Sequence, residues 1–251
     1  MTMIRHGDIT YVRAFGMAVE MVRSFEQLRL EAYQDQGGRW TIGWGHTRGV
    51  KPGDTCTVEQ AEEWLLEDTR DAADQVWLRL PAAVVEDLEA HQAAAIISWI
   101  YNAGPGPLLL GKQLRRALEQ DRFENVPEAF QEWCKIRDKT SGLLVVSDGL
   151  VKRRAVEAII WDLPAWLTFL LEPGAVEHVP RPLHSVRALQ ALLFLAGHDP
   201  GRVDGLFGPR TRAALQQLQR AAELPATGSV DAATVAALVR ALPWQKSGQR
   251  P

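Results

Sequence analysis

The chain predicts an α+β architecture, mostly helical with one small β-hairpin sheet, followed by a small three-helix C-terminal module. Three observations predict it. Apolar residues recur at helical spacing over most of residues 15–170. One stretch, 31–46, carries instead the strand and turn signature of a hairpin. The charge balance then changes sign, because residues 1–182 hold 20 Lys and Arg against 27 Asp and Glu, whereas 183–251 hold 8 against 4. We therefore divide the chain into a larger domain over 1–171, a linker over 172–182, a module over 183–243 and a disordered tail over 244–251.

The first element follows from Phe15, Val19, Val22, Phe25 and Leu28, whose spacing predicts an amphipathic helix running toward Leu30, with Glu26 near its end. The hairpin comes next. Ala32-Tyr33-Gln34-Asp35 reads as one strand, Gly37-Gly38 as the turn, and Arg39-Trp40-Thr41-Ile42 as the return strand running into Gly43-Trp44-Gly45-His46. Thr57 opens a further helix, with Gln60 as its capping-box partner and Ala61, Trp64 and Leu65 on one face. Residues 88–170 read as helices, broken at Gly104-Pro105-Gly106-Pro107, at Asn125-Val126-Pro127, across 140–149 and at Pro164. Glu172-Pro173-Gly174 through Pro180-Arg181-Pro182 has linker composition.

Beyond it, Phe207-Gly208-Pro209-Arg210-Thr211, followed by Ala214-Leu215, is echoed 23 residues later by Val230-Asp231-Ala232-Ala233-Thr234 and Ala237-Leu238. Each copy is a turn leading into a helix, since Pro209 suits a first helical position and Asp231 an N-cap.

The acidic larger domain lacks the clustered basic face that a nucleic-acid enzyme needs, so no nucleic-acid partner is expected. No apolar run is long enough for a signal-peptide core or a membrane span, which predicts a protein made in the host cytoplasm, without membrane insertion, and a monomer is expected. Cys56 and Cys134 are expected as reduced thiols, with a single disulfide as the open alternative. The six His are scattered and neither Cys has a second ligand at finger-like spacing, so neither metal nor cofactor is expected.

Glycoside hydrolysis requires one carboxyl held protonated and a second one ionised across the sugar. Glu26, flanked by Phe25, Leu28 and Leu30 at a helix C-terminus, suits the first demand, and Asp35, beside the Gly37-Gly38 turn, suits the second. Thr41 lies on the return strand, where the hairpin folds its hydroxyl toward Asp35. A hydroxyl beside a carboxylate can hold a water, which predicts water attack and inversion.

Glu26, eight residues, Asp35, five residues, then Thr41-Ile42-Gly43-Trp44-Gly45-His46-Thr47 resembles the catalytic signature of phage-type lysozymes, the muramidase endolysins. The likeness continues through 57–66, Tyr101-Asn102-Ala103-Gly104 and Gly149-Leu150-Val151-Lys152-Arg153-Arg154-Ala155-Val156-Glu157, and so covers about 15–165. It implies a lysozyme-like catalytic domain in which Glu26 is the general acid, Asp35 places the water or stabilises the cation-like transition state, and Thr41 partners that water. The implied substrate is the β-1,4 bond from N-acetylmuramic acid to N-acetylglucosamine. It also implies a pairing of His46 with Asp68, a cleft-side position for Asn102 that either binds substrate or is satisfied locally, and one of Arg153 and Arg154 near Glu26 with the other at the surface. The run 105–111, longer and more apolar than is usual in the family, is expected to reshape one cleft wall, and 140–147 also departs from the pattern. Of nine Trp, Trp40 and Trp44 are the candidates to reach a sugar.

Val203-Asp204-Gly205-Leu206-Phe207-Gly208-Pro209-Arg210-Thr211 is similar to the peptidoglycan-binding module carried by many wall hydrolases. The resemblance implies a tether to bacterial peptidoglycan through a flexible linker, and an endolysin held in the cytoplasm until released to the periplasm or cell wall. Two other functions are compatible with parts of the pattern. A wall-binding protein with an inactive lysozyme domain is opposed by the presence of all three of Glu26, Asp35 and Thr41. A lytic transglycosylase would need the acid but no water-placing pair.

Overall fold

The computed structural model of the chain describes residues 9–35, 37–109, 112–138, 141–163 and 183–246. The expected linker lies outside these residues, as do Thr140, Pro164 and Trp166.

Helix α1 (Ile9–Phe25) buries Ala14, Met17, Ala18, Met21 and Val22 on one face. It stops at Phe25 rather than continuing toward Leu30, because the next segment is claimed by strand pairing on two sides. β1 (Arg29–Gln34) pairs antiparallel with β2 (Trp40–Gly43), placing Tyr33 opposite Thr41 and Gln34 opposite Trp40. Its other edge meets residues 54–56, with Ala32 N donating to Asp54 O and Cys56 N to Leu30 O, both at 2.9 Å.

α2 (Val58–Arg79) opens with the expected capping box: Gln60 N donates to Thr57 Oγ1, and Thr57 N to Gln60 Oε1. After the short α3 (Ala82–Asp87) comes α4 (Ala90–Ala103), in which every residue from Ala93 to Ile100 is buried. A helix buried on all sides is a core helix, and α1, α2 and the later α7 (Asp148–Trp161) pack around it. α5 (Gln113–Glu119) and α6 (Val126–Phe130) complete this body.

The stretch 140–149, expected only as a break between helices, contributes residues 144–146 to a second hairpin. β3 (Lys135–Arg137) pairs with β4 (Leu144–Val146), Lys135 opposite Val146 and Arg137 opposite Leu144. Leu143, Leu144, Val145 and Val146 are all exposed, so no inward-facing alternation marks the strand in the sequence. The α+β class stands, with this second sheet added.

The C-terminal unit comprises α8 (Leu183–Leu195), α9 (Pro209–Ala221), α10 (Ala232–Ala241) and the single turn α11 (Pro243–Lys246). Pro209 opens α9, and Asp231 caps α10 by accepting from Thr234 N at 2.7 Å. Its repeat is built around two buried glutamines. Gln190 Nε2 donates to Asp204 Oδ1, Leu206 O and Thr211 Oγ1 while Gly205 N donates to Gln190 Oε1. Gln219 repeats the clasp 23 residues along the turns, donating to Thr227 Oγ1, Ser229 O and Thr234 Oγ1 and accepting from Gly228 N.

Two expectations need correction. Residues 244–246, expected to open a disordered tail, are ordered instead, because Trp244 is fully buried in the core and α11 packs on α1. The C-terminal unit is also no freely reaching appendage: α8 packs on α7 and α1, and Leu189, Leu192 and Val156 belong to one continuous apolar cluster. Its apolar faces make burial against the larger domain favourable. At the junction Lys152 pairs with Asp199 at 2.6 Å and Arg202 with Asp148 at 2.9 Å. Cys56 and Cys134 are both free thiols, whose ionisation burial pushes above the ordinary thiol range. No described helix is long and apolar enough to cross a membrane.

Candidate active site

A cleft of about 870 Å³ opens between the first hairpin and the α7 side of the body, and Glu26, Asp35 and Thr41 all line it. Each is placed by local backbone. Glu26 follows the last turn of α1, its N–H donating to Val22 O at 3.0 Å. Asp35 leaves β1 into the turn, where Asp35 N donates to Arg39 O at 3.0 Å and Asp35 Oδ1 accepts from Arg39 N at 2.8 Å. Thr41 is buried on β2, and its hydroxyl donates to Arg39 O at 3.1 Å. Asp35 and Thr41 are thus anchored to the same peptide unit's residue. The register sets Thr41 opposite Tyr33, so Thr41 and Asp35 are diagonal neighbours on one face rather than facing partners.

The glycines that follow Thr41 have steric reasons. Gly43 has φ +64°, and a Cβ there would stand 3.2 Å from the Ala61 Cβ. Gly45 has φ +106°, and a Cβ would point at the Glu26 carboxyl and the Tyr101 hydroxyl, 3.6 Å from each. Tyr101 in turn donates to Trp44 O at 3.0 Å, and burial, followed by the nearby Asp68 and Glu26, pushes its phenol well above the ordinary range, so it acts as a donor.

Behind Glu26 lies a buried ionic cluster. Arg153 Nη1 donates to Glu26 Oε1 at 2.6 Å, its Nη2 to Ser98 O at 3.1 Å, and its Nε to Glu157 Oε1 at 3.2 Å. Glu157 is fully buried and also accepts from Ser98 Oγ at 2.8 Å. Arg154, expected at the surface if its neighbour met Glu26, is fully buried instead. It pairs with Glu157 at 2.8 Å and donates to Asn102 Oδ1 at 3.1 Å. Burial pushes its guanidinium down to about 10, and Glu157 opposes that fall. It was misplaced because α7 buries nearly its whole circumference, Arg153 to Glu157 without a gap, so no polar face marks the solvent side.

Asn102 lines the cleft and is exposed, with its amide oxygen held by Arg154. His46 and Asp68 meet: Nδ1 lies 2.8 Å from Asp68 Oδ2, Nε2 lies 3.0 Å from Arg48 O, and the ring stacks on Trp64. The pair braces β2 against α2, away from the cleft lining. Neither Trp40 nor Trp44 lines the cleft, whereas Trp133 does. Trp133 stands just before β3, and a Cβ on Gly106 would meet its ring at 3.0 Å. Of the long run 105–111, Gly106 shapes the cleft at one remove, from beneath Trp133. The second wall, with Lys135 and Ile136, was not named from sequence, since only the fold brings it opposite the first hairpin. Among the described residues no group of His, Cys, Asp and Glu could hold a metal ion.

The phage lysozyme family model matches residues 23–157, which include the whole constellation just described. The chain belongs to the phage lysozyme family. A second family, the putative peptidoglycan binding domain, matches residues 184–238. Among similar proteins is an endolysin of Acyrthosiphon pisum secondary endosymbiont phage 1, 34% identical over 142 residues, 57% of this chain and 92% of that protein. A SAR-endolysin of Pseudomonas phage phiKMV is 30% identical, over 57% of this chain and 85% of its own length. The solved endolysin from Escherichia coli O157:H7 phage FAHEc1 superposes with TM-score 0.50 at 31% identity, covering 58% of this chain and 90% of that one. This phage lysozyme is accordingly a glycoside hydrolase of the muramidase type, a cell-wall-hydrolysing endolysin with a binding unit at its C-terminus.

Proposed function

We propose that this lysozyme cleaves the β-1,4 bond between N-acetylmuramic acid and N-acetylglucosamine by a single, inverting displacement, with Glu26 as general acid and Asp35 and Thr41 placing the attacking water. The observation that carries the reading is that all three side chains enter one cleft from a short stretch of chain, with Asp35 and Thr41 both anchored on Arg39. Because the Thr41 hydroxyl spends its proton on Arg39 O, its oxygen is left to accept from water. Asp35 accepts the other proton. A water held through both hydrogens keeps a lone pair for the sugar carbon, and Asp35 takes its proton as the bond forms. On the opposite side, Arg153 occupies Glu26 Oε1, leaving Oε2 to deliver the proton to the departing oxygen.

Asn102 is assigned to substrate binding through its free amide N–H groups, and His46 with Asp68 to support of the hairpin. The enzyme works as a monomer, without cofactor, metal or nucleic acid, waits in the host cytoplasm and acts on peptidoglycan after release to the periplasm or wall. Its C-terminal unit, 183–243, holds the polymer.

The test is product analysis from purified peptidoglycan in heavy-oxygen water, with anomeric configuration read by NMR. Inverted reducing ends carrying the heavy label are expected, with turnover reduced at least 100-fold in Glu26→Gln, consistent with the usual weight of acid–base catalysis of about 100- to 10,000-fold. Retained configuration would remove the single displacement, and anhydro-muramic ends would make the enzyme a transglycosylase.

A further inference from the structure

Phe194 belongs to α8, within the region matched by the peptidoglycan-binding family. Its ring nevertheless stacks on Phe25 of α1, with centroids 5.3 Å apart and planes inclined by 30°. Phe25 immediately precedes Glu26 and lines the same cleft. The Phe25 ring also carries the Arg153 guanidinium, 4.7 Å from its centroid, and Arg153 is the residue that donates to Glu26 Oε1. The Phe194 ring carries Lys152 Nζ at 4.0 Å, and that ammonium is fixed by Asp199 of the C-terminal unit at 2.6 Å. Two consecutive residues of α7 therefore grip one aromatic ring from each unit.

We propose that Phe194 is a positioning residue for Glu26, so that the C-terminal unit completes the foundation of the active site in addition to binding the wall. The proposal rests on Glu26 being the general acid. Phe25 stays only half-buried even with Phe194 stacked on it, and it sits at the helix end, where no further turn of α1 holds it. Without Phe194 the Phe25 ring loses its aromatic neighbour, and Arg153 loses a fixed surface on which its guanidinium lies. A guanidinium free to tilt no longer sets the direction of the Glu26 carboxyl. Displacement of a reacting group by about 1 Å costs on the order of 100-fold in rate, so even partial loosening is measurable. The exposed Arg202–Asp148 pair lies at the same junction and touches none of these groups, which makes it the natural control.

The experiment uses the full chain and soluble glycan oligosaccharides freed of stem peptides, too short to bridge the cleft and the wall-binding unit. kcat and KM are measured separately for Phe194→Ala, Phe194→Leu, Phe194→Tyr, Arg202→Ala and Glu26→Gln, and sedimentation with intact sacculi reports whether each variant still binds. Phe194→Ala is expected to lower kcat about tenfold with KM unchanged. Phe194→Leu, which fills the space without a π face for Lys152, should fall between, Phe194→Tyr should recover the parent value, and Arg202→Ala should leave kcat unchanged. Parent-like kcat in Phe194→Ala, or in Phe194→Leu should the alanine variant fail to fold, overturns the proposal. So does a loss seen on sacculi but not on the oligosaccharides, or an equal loss in Arg202→Ala, either of which would mean simple docking. Full turnover by Glu26→Gln would instead remove the acid assignment on which the proposal stands.

Discussion

The two halves of this lysozyme bury polar groups in opposite ways. In the larger domain the buried cluster is ionic, Glu157 between Arg153 and Arg154, and it opens onto the cleft at Glu26. In the C-terminal unit the buried groups are the neutral side chains of Gln190 and Gln219, each closed on a turn and a threonine. A charge out of water costs several kcal/mol unless it is paired, whereas a buried amide asks only for its hydrogen bonds. The ionic arrangement is therefore found where a charge has to be presented to a site, and the neutral one where a loop only has to keep its shape.

The largest effect should come from breaking the ionic side. Glu157→Ala leaves two buried guanidinium groups facing each other and should cost about 3–5 kcal/mol in denaturant unfolding, with a matching loss of turnover. A cost under about 1 kcal/mol would mean that the cluster is not the coupled unit its distances indicate. The neutral clasps should be cheaper to break. Gln190→Ala and Gln219→Ala should each cost about 1–3 kcal/mol, since each strands a buried glycine N–H. These losses should be equal in low and high salt, whereas any salt dependence would contradict a neutral clasp.

The smallest effect concerns the junction. Burial alone would raise Asp199, yet the hydrogen bonds from Lys152 and Gly201 and the nearby Arg210 hold it below the ordinary carboxylate range. A depressed carboxylate contributes stability that is fully present above its unfolded value, about 4, and is lost as pH falls through the folded one. Because Asp199 and its partner Arg210 are both largely exposed, the contribution is under about 1 kcal/mol. A melting curve recorded between pH 5 and 2.5 should show Asp199→Asn converging with the parent toward acid. A constant gap between them would remove the electrostatic reading.

What could be read from sequence follows sequence distance. Glu26, Asp35 and Thr41 lie on one helix end and one hairpin, so the hairpin pattern brought Asp35 and Thr41 together and the family signature joined Glu26 to them, and the Thr57 and Asp231 caps are local by nature. The partners of Glu26 are not local. Arg153 is separated from it by most of the domain, and nothing in α7's own pattern says which arginine turns to the cleft and which turns into the core. Trp133 was missed for a similar reason, since its role depends on a hairpin whose apolar strand faces solvent and therefore lacks the alternation that reveals strands. The end of α1 was misjudged because Leu28 and Leu30 continue the helical spacing by coincidence, while backbone pairing with 54–56 decides the outcome.

The apolar cluster shared by α1, α7 and α8 has a consequence for how such enzymes diversify. Wall-binding units are attractive parts to exchange between lysins with different hosts. Here a graft at the junction would have to reproduce the α8 surface that meets α1 and α7, Leu189 and Phe194 included, or expose the catalytic half to self-association. Recombination within the unit's own repeat is constrained as well, because each clasp ties a glutamine of one helix to a threonine of the next and α11 packs on α1.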